Sequence, residues 1–194
     1  MFDEFKKFYG TAAVPAIRFE AMRDLTALDW RKVDDPSAIP NERGVYAWVD
    51  SEGLVRYHGS GRGAGGVRGR LRNQLTWRRQ QRERIVAAER EDDIDLWFRA
   101  AIESPAIRLT AETDCVLWVA VAAEPTWSLA TVEDEDLPRT ALGWETFISE
   151  VSHLTTGRRS LLGGGAWESK PGTLGAKMER VAWSRLQQVL KYGK

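Results

Sequence analysis

Cysteine and histidine are scarce: Cys115 is the single thiol, and His58 and His153 are the only imidazoles in 194 residues. One cysteine excludes an internal disulfide and a thiolate-rich zinc or iron–sulfur centre, and two histidines leave too few ligands for a histidine-built metal cage. Long apolar runs are also missing. Nothing approaches the roughly 20 residues that cross a bilayer, and Met1 is followed by Phe2-Asp3-Glu4-Phe5-Lys6-Lys7, which has no basic-then-apolar export pattern. No membrane partner and a cytoplasmic location are therefore expected. Net charge is absent as well, with 28 basic against 28 acidic side chains, so composition as a whole gives no argument for a polyanionic partner.

The chain is otherwise of ordinary globular composition, 43% hydrophobic and 29% charged, long enough for one full core and too short for two large domains. Its charge is segregated. Between Arg56 and Arg84 stand nine arginines (56, 62, 68, 70, 72, 78, 79, 82 and 84), no lysine and a single acid, Glu83, whereas acids gather at 89–95 (EREDDID) and 133–136 (EDED). This pattern gives one positive face, the footprint of a phosphate-binding surface, although a solvated arginine-rich helix reads the same way.

Three regions are expected. Residues 1–39 read as a mostly helical lead-in, with Phe2, Phe5 and Phe8, then Ala21, Leu25 and Leu28 at helical spacing, ending at Pro36 and Pro40. Residues 40–130 form the main unit: a hairpin over 44–59, a glycine loop at 60–66 (SGRGAGG), a helix from about 67 to 90, and a third strand at 94–102 (IDLWFRAAI). Ser104-Pro105 opens a helix running from 105 toward 123 and stopped before Pro125. Within it the run 116–121 (VLWVAV) suits a buried strand equally well by periodicity. Residues 131–194 are a helical extension, with helices at about 137–156 and from Leu174 onward, separated by a glycine-rich loop. The fold class is α/β in the α+β sense: a small three-stranded antiparallel sheet flanked by helices, with extra N- and C-terminal helices.

In "RGVYAWVDSEGLVRYHGSG" (43–61), a turn centred on Ser51-Glu52 pairs Val49 with Leu54 and Tyr46 with Tyr57. Opposed side chains share a face, with Cβ atoms roughly 4.5–5.5 Å apart. The two phenols thus share a patch with Trp48 and Val55, while Val45, Ala47, Val49, Leu54, Arg56 and His58 point to the other face. By itself a cross-strand tyrosine pair is most often packing. The glycine loop that follows is no Walker motif, since no Gly-Lys-Ser/Thr follows it.

Gly44-Val45-Tyr46, ten intervening residues, Tyr57-His58-Gly59, and then Arg70 in "RGRLRNQL" resemble the GIY-YIG nuclease family. The resemblance covers about residues 40–130. It implies adjacent antiparallel strands for the two tripeptides, the arginine on the next helix, and a metal-binding glutamate on the helix after the third strand. Glu112 in "SPAIRLTAETDCVLWVAVAAEPTWS" fits that glutamate, with Pro125-Thr126-Trp127 as the turn after it; this favours a helix for 116–121 against its β-branched content. If the run is a strand, Glu145 or Glu179 takes the place of Glu112. The chain departs from the family pattern at His58, Gln74 and Ser128, and His58, which alternates away from Tyr57, is expected to be structural.

The resemblance implies divalent-metal-dependent hydrolysis of DNA phosphodiesters, with RNA as an alternative substrate. Glu112 would hold one Mg2+ or Mn2+ ion, which suits a sparse, largely hydrated site. Arg70 would neutralise the scissile phosphate through its planar guanidinium. Tyr46 would be the general base, its pKa of ~10 lowered by the metal together with nearby arginines, and Tyr57 would orient water or phosphate. Gly59 permits close backbone approach; Arg62, Arg68, Arg72, Arg78 and Arg79 would track the nucleic-acid backbone, and Trp77 would stack on a base. Residues 1–39 and 131–194 are expected to add specificity or a homodimer surface. Loss of the proton relay at Gln74 and His58 gives the alternative, a catalytically impaired nucleic-acid-binding module. A third reading is a protein-interaction domain whose arginine helix meets an acidic partner.

Overall fold

A computed structural model describes residues 17–73, 115–156 and 173–192. Their strands are β1 (Arg31–Lys32), β2 (Gly44–Val49), β3 (Val55–Gly61) and β4 (Val116–Val121), joined in one antiparallel sheet of order β1-β4-β2-β3. The described helices are α1 (Phe19–Thr26), α2 (66–73), α3 (Ala141–Thr156) and α4 (Leu174–Tyr192), with single 3-10 turns at Pro36–Ala38 and Asp134–Asp136. Among the described residues no helix is long and apolar enough to cross a membrane.

The α+β class is observed, but the described sheet has four strands where three were expected. Two substitutions account for this. Part of the lead-in read as helical is β1, and 116–121 is β4 where a buried helix was expected. The strand expected at 94–102 lies outside the described residues. β4 lies between β1 and β2 and is covered on both faces, with Leu117 and Val119 to one side and Trp118 and Ala120 to the other. A strand buried on both faces reads as a continuous apolar run without period 2, so only the β-branched Val116, Val119 and Val121 signalled it.

The hairpin register also differs from the expected one. Asp50 closes a five-residue loop: its Oδ1 accepts from the Glu52 and Leu54 amides at 2.9 Å, and its own amide donates to the Leu54 carbonyl. Val49 therefore pairs with Val55, and one extra β3 residue, Arg56, then places Trp48 opposite Tyr57 and Tyr46 opposite Gly59. The register has slipped by two residues in all, which preserves the face because side chains alternate with period 2. Tyr46 and Tyr57 still share a patch, as diagonal rather than opposed neighbours. Val55, however, moves to the opposite face from the one expected.

On one face of the sheet α1, α3 and α4 bury the main core, which includes Val45, Ala47, Val49, Val55, Trp144, Phe147, Ile148, Val151, Met178 and Val181. α1 contributes Phe19, Met22 and Leu25, spaced three apart, and ends at Ala27 in the left-handed region (φ 52°), whose amide donates to Arg23 O. Arg185 of α4 donates to the Asp24 and Leu25 carbonyls at the end of α1 and stacks over the Trp127 ring at 4.9 Å. That guanidinium joins the two helices at carbonyls that have no partner within α1.

Candidate functional site at the tyrosine face

The opposite face of the sheet carries Tyr46, Tyr57, Leu117 and Val119, packed with Ile39 and with Val67 and Leu71 of α2 and flanked by Val33 and Trp48. Alternation along β2 and β3 dictates this set, because residues 46, 48, 57 and 59 share one side and 45, 47, 58 and 60 the other. The Tyr46 and Tyr57 ring centroids lie 5.9 Å apart with planes tilted by 42°.

Gly59, expected to let a ligand approach the backbone, has a packing reason instead. It is the cross-strand partner of Tyr46, and a Cβ there would fall 2.6 Å from the Tyr46 hydroxyl. The ring occupies the place of the missing side chain. Gly66 is constrained differently, at φ +54°, where a Cβ would lie 2.0 Å from Asn41 O. This tight junction fixes the start of α2. The Val67 and Arg68 amides donate to Glu42 O and Pro40 O, and the Arg68 guanidinium donates to Ile39 O (2.8 Å) and Ser37 O (2.6 Å). Arg68, expected on the nucleic-acid backbone, thus ties α2 to the chain before β2.

One helical turn into α2, Arg70 lies close enough to both phenols for its charge to couple to each. Partial desolvation opposes its charge, but the phenols, Tyr46 more than Tyr57, outweigh this and hold the guanidinium above its usual pKa. The arginine neighbour by itself does not lower the pKa of Tyr46; the expected lowering drew on a metal ion as well. Burial, reinforced by Tyr57, raises it well above the usual phenol value, and Arg70 opposes that rise without reversing it. The ring is fully buried (0% exposed), whereas Tyr57 retains 6%.

The structure therefore brings together Tyr46, Tyr57, Gly59 and Arg70. Arg62, on the loop before α2, and Arg72, on α2 itself, are exposed. Glu112, Trp77, Arg78, Arg79 and Gln74 lie outside the described residues. The two fallback acids are not at this face. Glu145, in the first turns of α3, accepts a short hydrogen bond from Ser60 Oγ on the opposite side of the sheet, and Glu179 belongs to α4, which packs on that side too. Among the described residues no group of three or more His, Cys, Asp or Glu converges. Phenols and a guanidinium provide no hard anionic donor, so these residues alone do not fit a magnesium site.

His58 is buried completely, as expected of a structural residue, and its Nε2 lies 2.9 Å from Ser149 Oγ. Burial drives its pKa down to about 4 against the opposing pull of the Glu145 backbone carbonyl. Ser60 and Ser149 were not singled out in the sequence. The signal was there in the i, i+2 spacing of His58 and Ser60 and the i, i+4 spacing of Glu145 and Ser149. No protein-family model, no curated protein and no solved structure matches the chain. What the tyrosine face can do is therefore argued from its own chemistry.

Proposed function

We propose that the chain is a nucleic-acid phosphodiesterase of the GIY-YIG type, acting on DNA, with the tyrosine face as its phosphate-binding centre. One observation carries the reading: Tyr46, Tyr57 and Arg70, named from two tripeptides and a helical arginine, converge on a single patch. Chance placement of three residues from three elements has no reason to bring a guanidinium within electrostatic reach of two phenols.

Arg70 would exchange its phenol partners for the non-bridging oxygens of a phosphate, where its fixed fork makes charge-assisted hydrogen bonds. Tyr46, whose proton is held tightly by burial, serves as a hydrogen-bond donor rather than a base at neutral pH. Tyr57, which keeps some surface, is the phenol placed to orient an attacking water. Tyr46, Tyr57 and Arg70 offer a metal no hard anionic donor, so hydrolysis on this reading needs a carboxylate from elsewhere; with Glu145 and Glu179 on the other side of the sheet, Glu112 is the residue proposed to supply it. Exposed Arg62 and Arg72 extend the positive surface along the backbone, giving salt-dependent affinity.

The burial of Tyr46 favours a second reading, a GIY-YIG-fold module that binds nucleic acid without cutting it. Nicking of supercoiled plasmid in magnesium or manganese separates the two. Cleavage lost in both Arg70→Ala and Glu112→Ala supports the enzyme. Salt-sensitive binding with no cleavage in either metal supports the module.

A further inference from the structure

We infer that His58 and Ser60 are positioning residues for the tyrosine face, forming with Ser149 and Glu145 a two-rung polar clamp that sets the height and twist of β3. The inference rests on the phosphate-binding reading of that face. β3 alternates between two tasks: Tyr57 and Gly59 look toward α2, while His58 and Ser60 look toward α3. Any slide or roll of the strand on the α3 side therefore displaces the phenol and the seat of Tyr46 on the other.

The two spacings match. Four helical residues rise about 6 Å and two strand residues about 6.6–6.8 Å, so Glu145 and Ser149 meet Ser60 and His58 together. Both rungs are buried, in an interface otherwise closed by Val45, Ala47, Trp144 and Ile148. Apolar contacts of that kind are non-directional and tolerate small sliding. The rungs do not, because a shift would part His58 Nε2 from Ser149 Oγ and Ser60 Oγ from Glu145, adding further buried polar atoms to His58 Nδ1, which has no partner among the described residues. Position also matters: β3 ends the described strand order, and beyond Val55, whose amide donates to Ile17 O, its described ladder partner is β2, so the clamp restrains the part of the strand that β2 holds on one side.

The test uses protein labelled with 13C at the tyrosine rings. The four tyrosines are assigned with Tyr9→Phe and Tyr192→Phe, leaving Tyr46 and Tyr57. Ser60→Ala and Ser149→Ala each delete one hydroxyl and leave the other rung in place, so either variant suffices if it folds. Both are expected to displace the Tyr46 and Tyr57 ring signals, and to lower kcat of plasmid nicking by roughly 10²-fold with KM held, the usual cost of a misplacement near 1 Å. Glu145→Gln, which keeps an acceptor, gives a smaller displacement of the same signals and carries the test if neither alanine variant folds. Ring signals unmoved while the urea midpoint falls would show a purely structural pair and overturn the inference. A wild-type protein that neither binds nor nicks nucleic acid defeats the proposed function, yet the ring signals still decide the clamp.

Discussion

Toward α3 the sheet presents Val45, Ala47, Val49 and Val55, with polar groups only where His58 and Ser60 meet partners; toward α2 the same two strands present Tyr46, Tyr57 and an arginine neighbour. Both faces are well buried, so burial alone does not distinguish them. The difference lies in where the polar atoms point. On the α3 side His58 Nε2 and Ser60 Oγ are spent on internal partners, while His58 Nδ1 has none among the described residues, and on the α2 side the phenols lie beside Arg70, a residue that is itself exposed. A strand that alternates can thus assign stability to one face and ligand chemistry to the other.

Substitutions should separate these two roles. The largest effect is expected for Phe147→Ala on the α3 side, where deleting a fully buried ring costs about 3–5 kcal/mol in urea unfolding. Nucleic-acid affinity of the protein that remains folded should hold; a matching loss of intrinsic affinity would break the division of labour. Next comes Arg70→Ala, expected to cut nicking by roughly 10²–10³-fold, as loss of a charge-stabilising donor does. Its stability should fall by only about 1 kcal/mol, and cleavage within tenfold of wild type would remove Arg70 from the site.

The α3 face should also respond to acid. His58 has a folded pKa of about 4, below an unfolded value near 6.5, so the unfolded chain takes up the proton first. The contribution of the neutral, buried imidazole is complete above pH 6.5 and disappears as pH falls toward 4. Wild type should lose about 2–3 kcal/mol relative to His58→Gln between pH 7.5 and 4.5 in paired urea titrations. Parallel curves for the two proteins would contradict the assignment. Last, Gly59→Ala sets a methyl against the Tyr46 hydroxyl and should cost about 1–3 kcal/mol by overpacking. A crystal structure of that variant with Tyr46 undisturbed would show that the glycine is not required by the ring.

Much of the tyrosine face was legible in the chain, and for a physical reason. Side-chain alternation has period 2, so the expected pairing of Tyr46 with Tyr57 erred by two residues and still put both on one side. A slip of one would have put them on opposite sides. Arg70 was singled out among nine arginines only by the family resemblance, which implies such a residue on the helix after the hairpin. By contrast, β4 was misread, since a strand covered on both faces has no alternation to display. The expected lowering of the Tyr46 pKa drew on a metal and on arginines that the sequence suggests, whereas the ring's burial under α2, which raises it, is not visible there. Arg68 was assigned to a ligand because nothing local marks the carbonyls of Ser37 and Ile39 as its partners.

By itself the sequence determined the hairpin, the shared side of its two tyrosines, the start of the helix after it and the two C-terminal helices, all of which depend on local spacing and short-range chain geometry. Only the tertiary structure decided that 116–121 pairs as a strand, that Glu145 faces Ser60 across the sheet from the phenols, and that Tyr46 holds its proton. Those outcomes depend on which distant segments cover a residue. Desolvation and partner choice come from neighbours far along the chain, and these the local pattern does not encode.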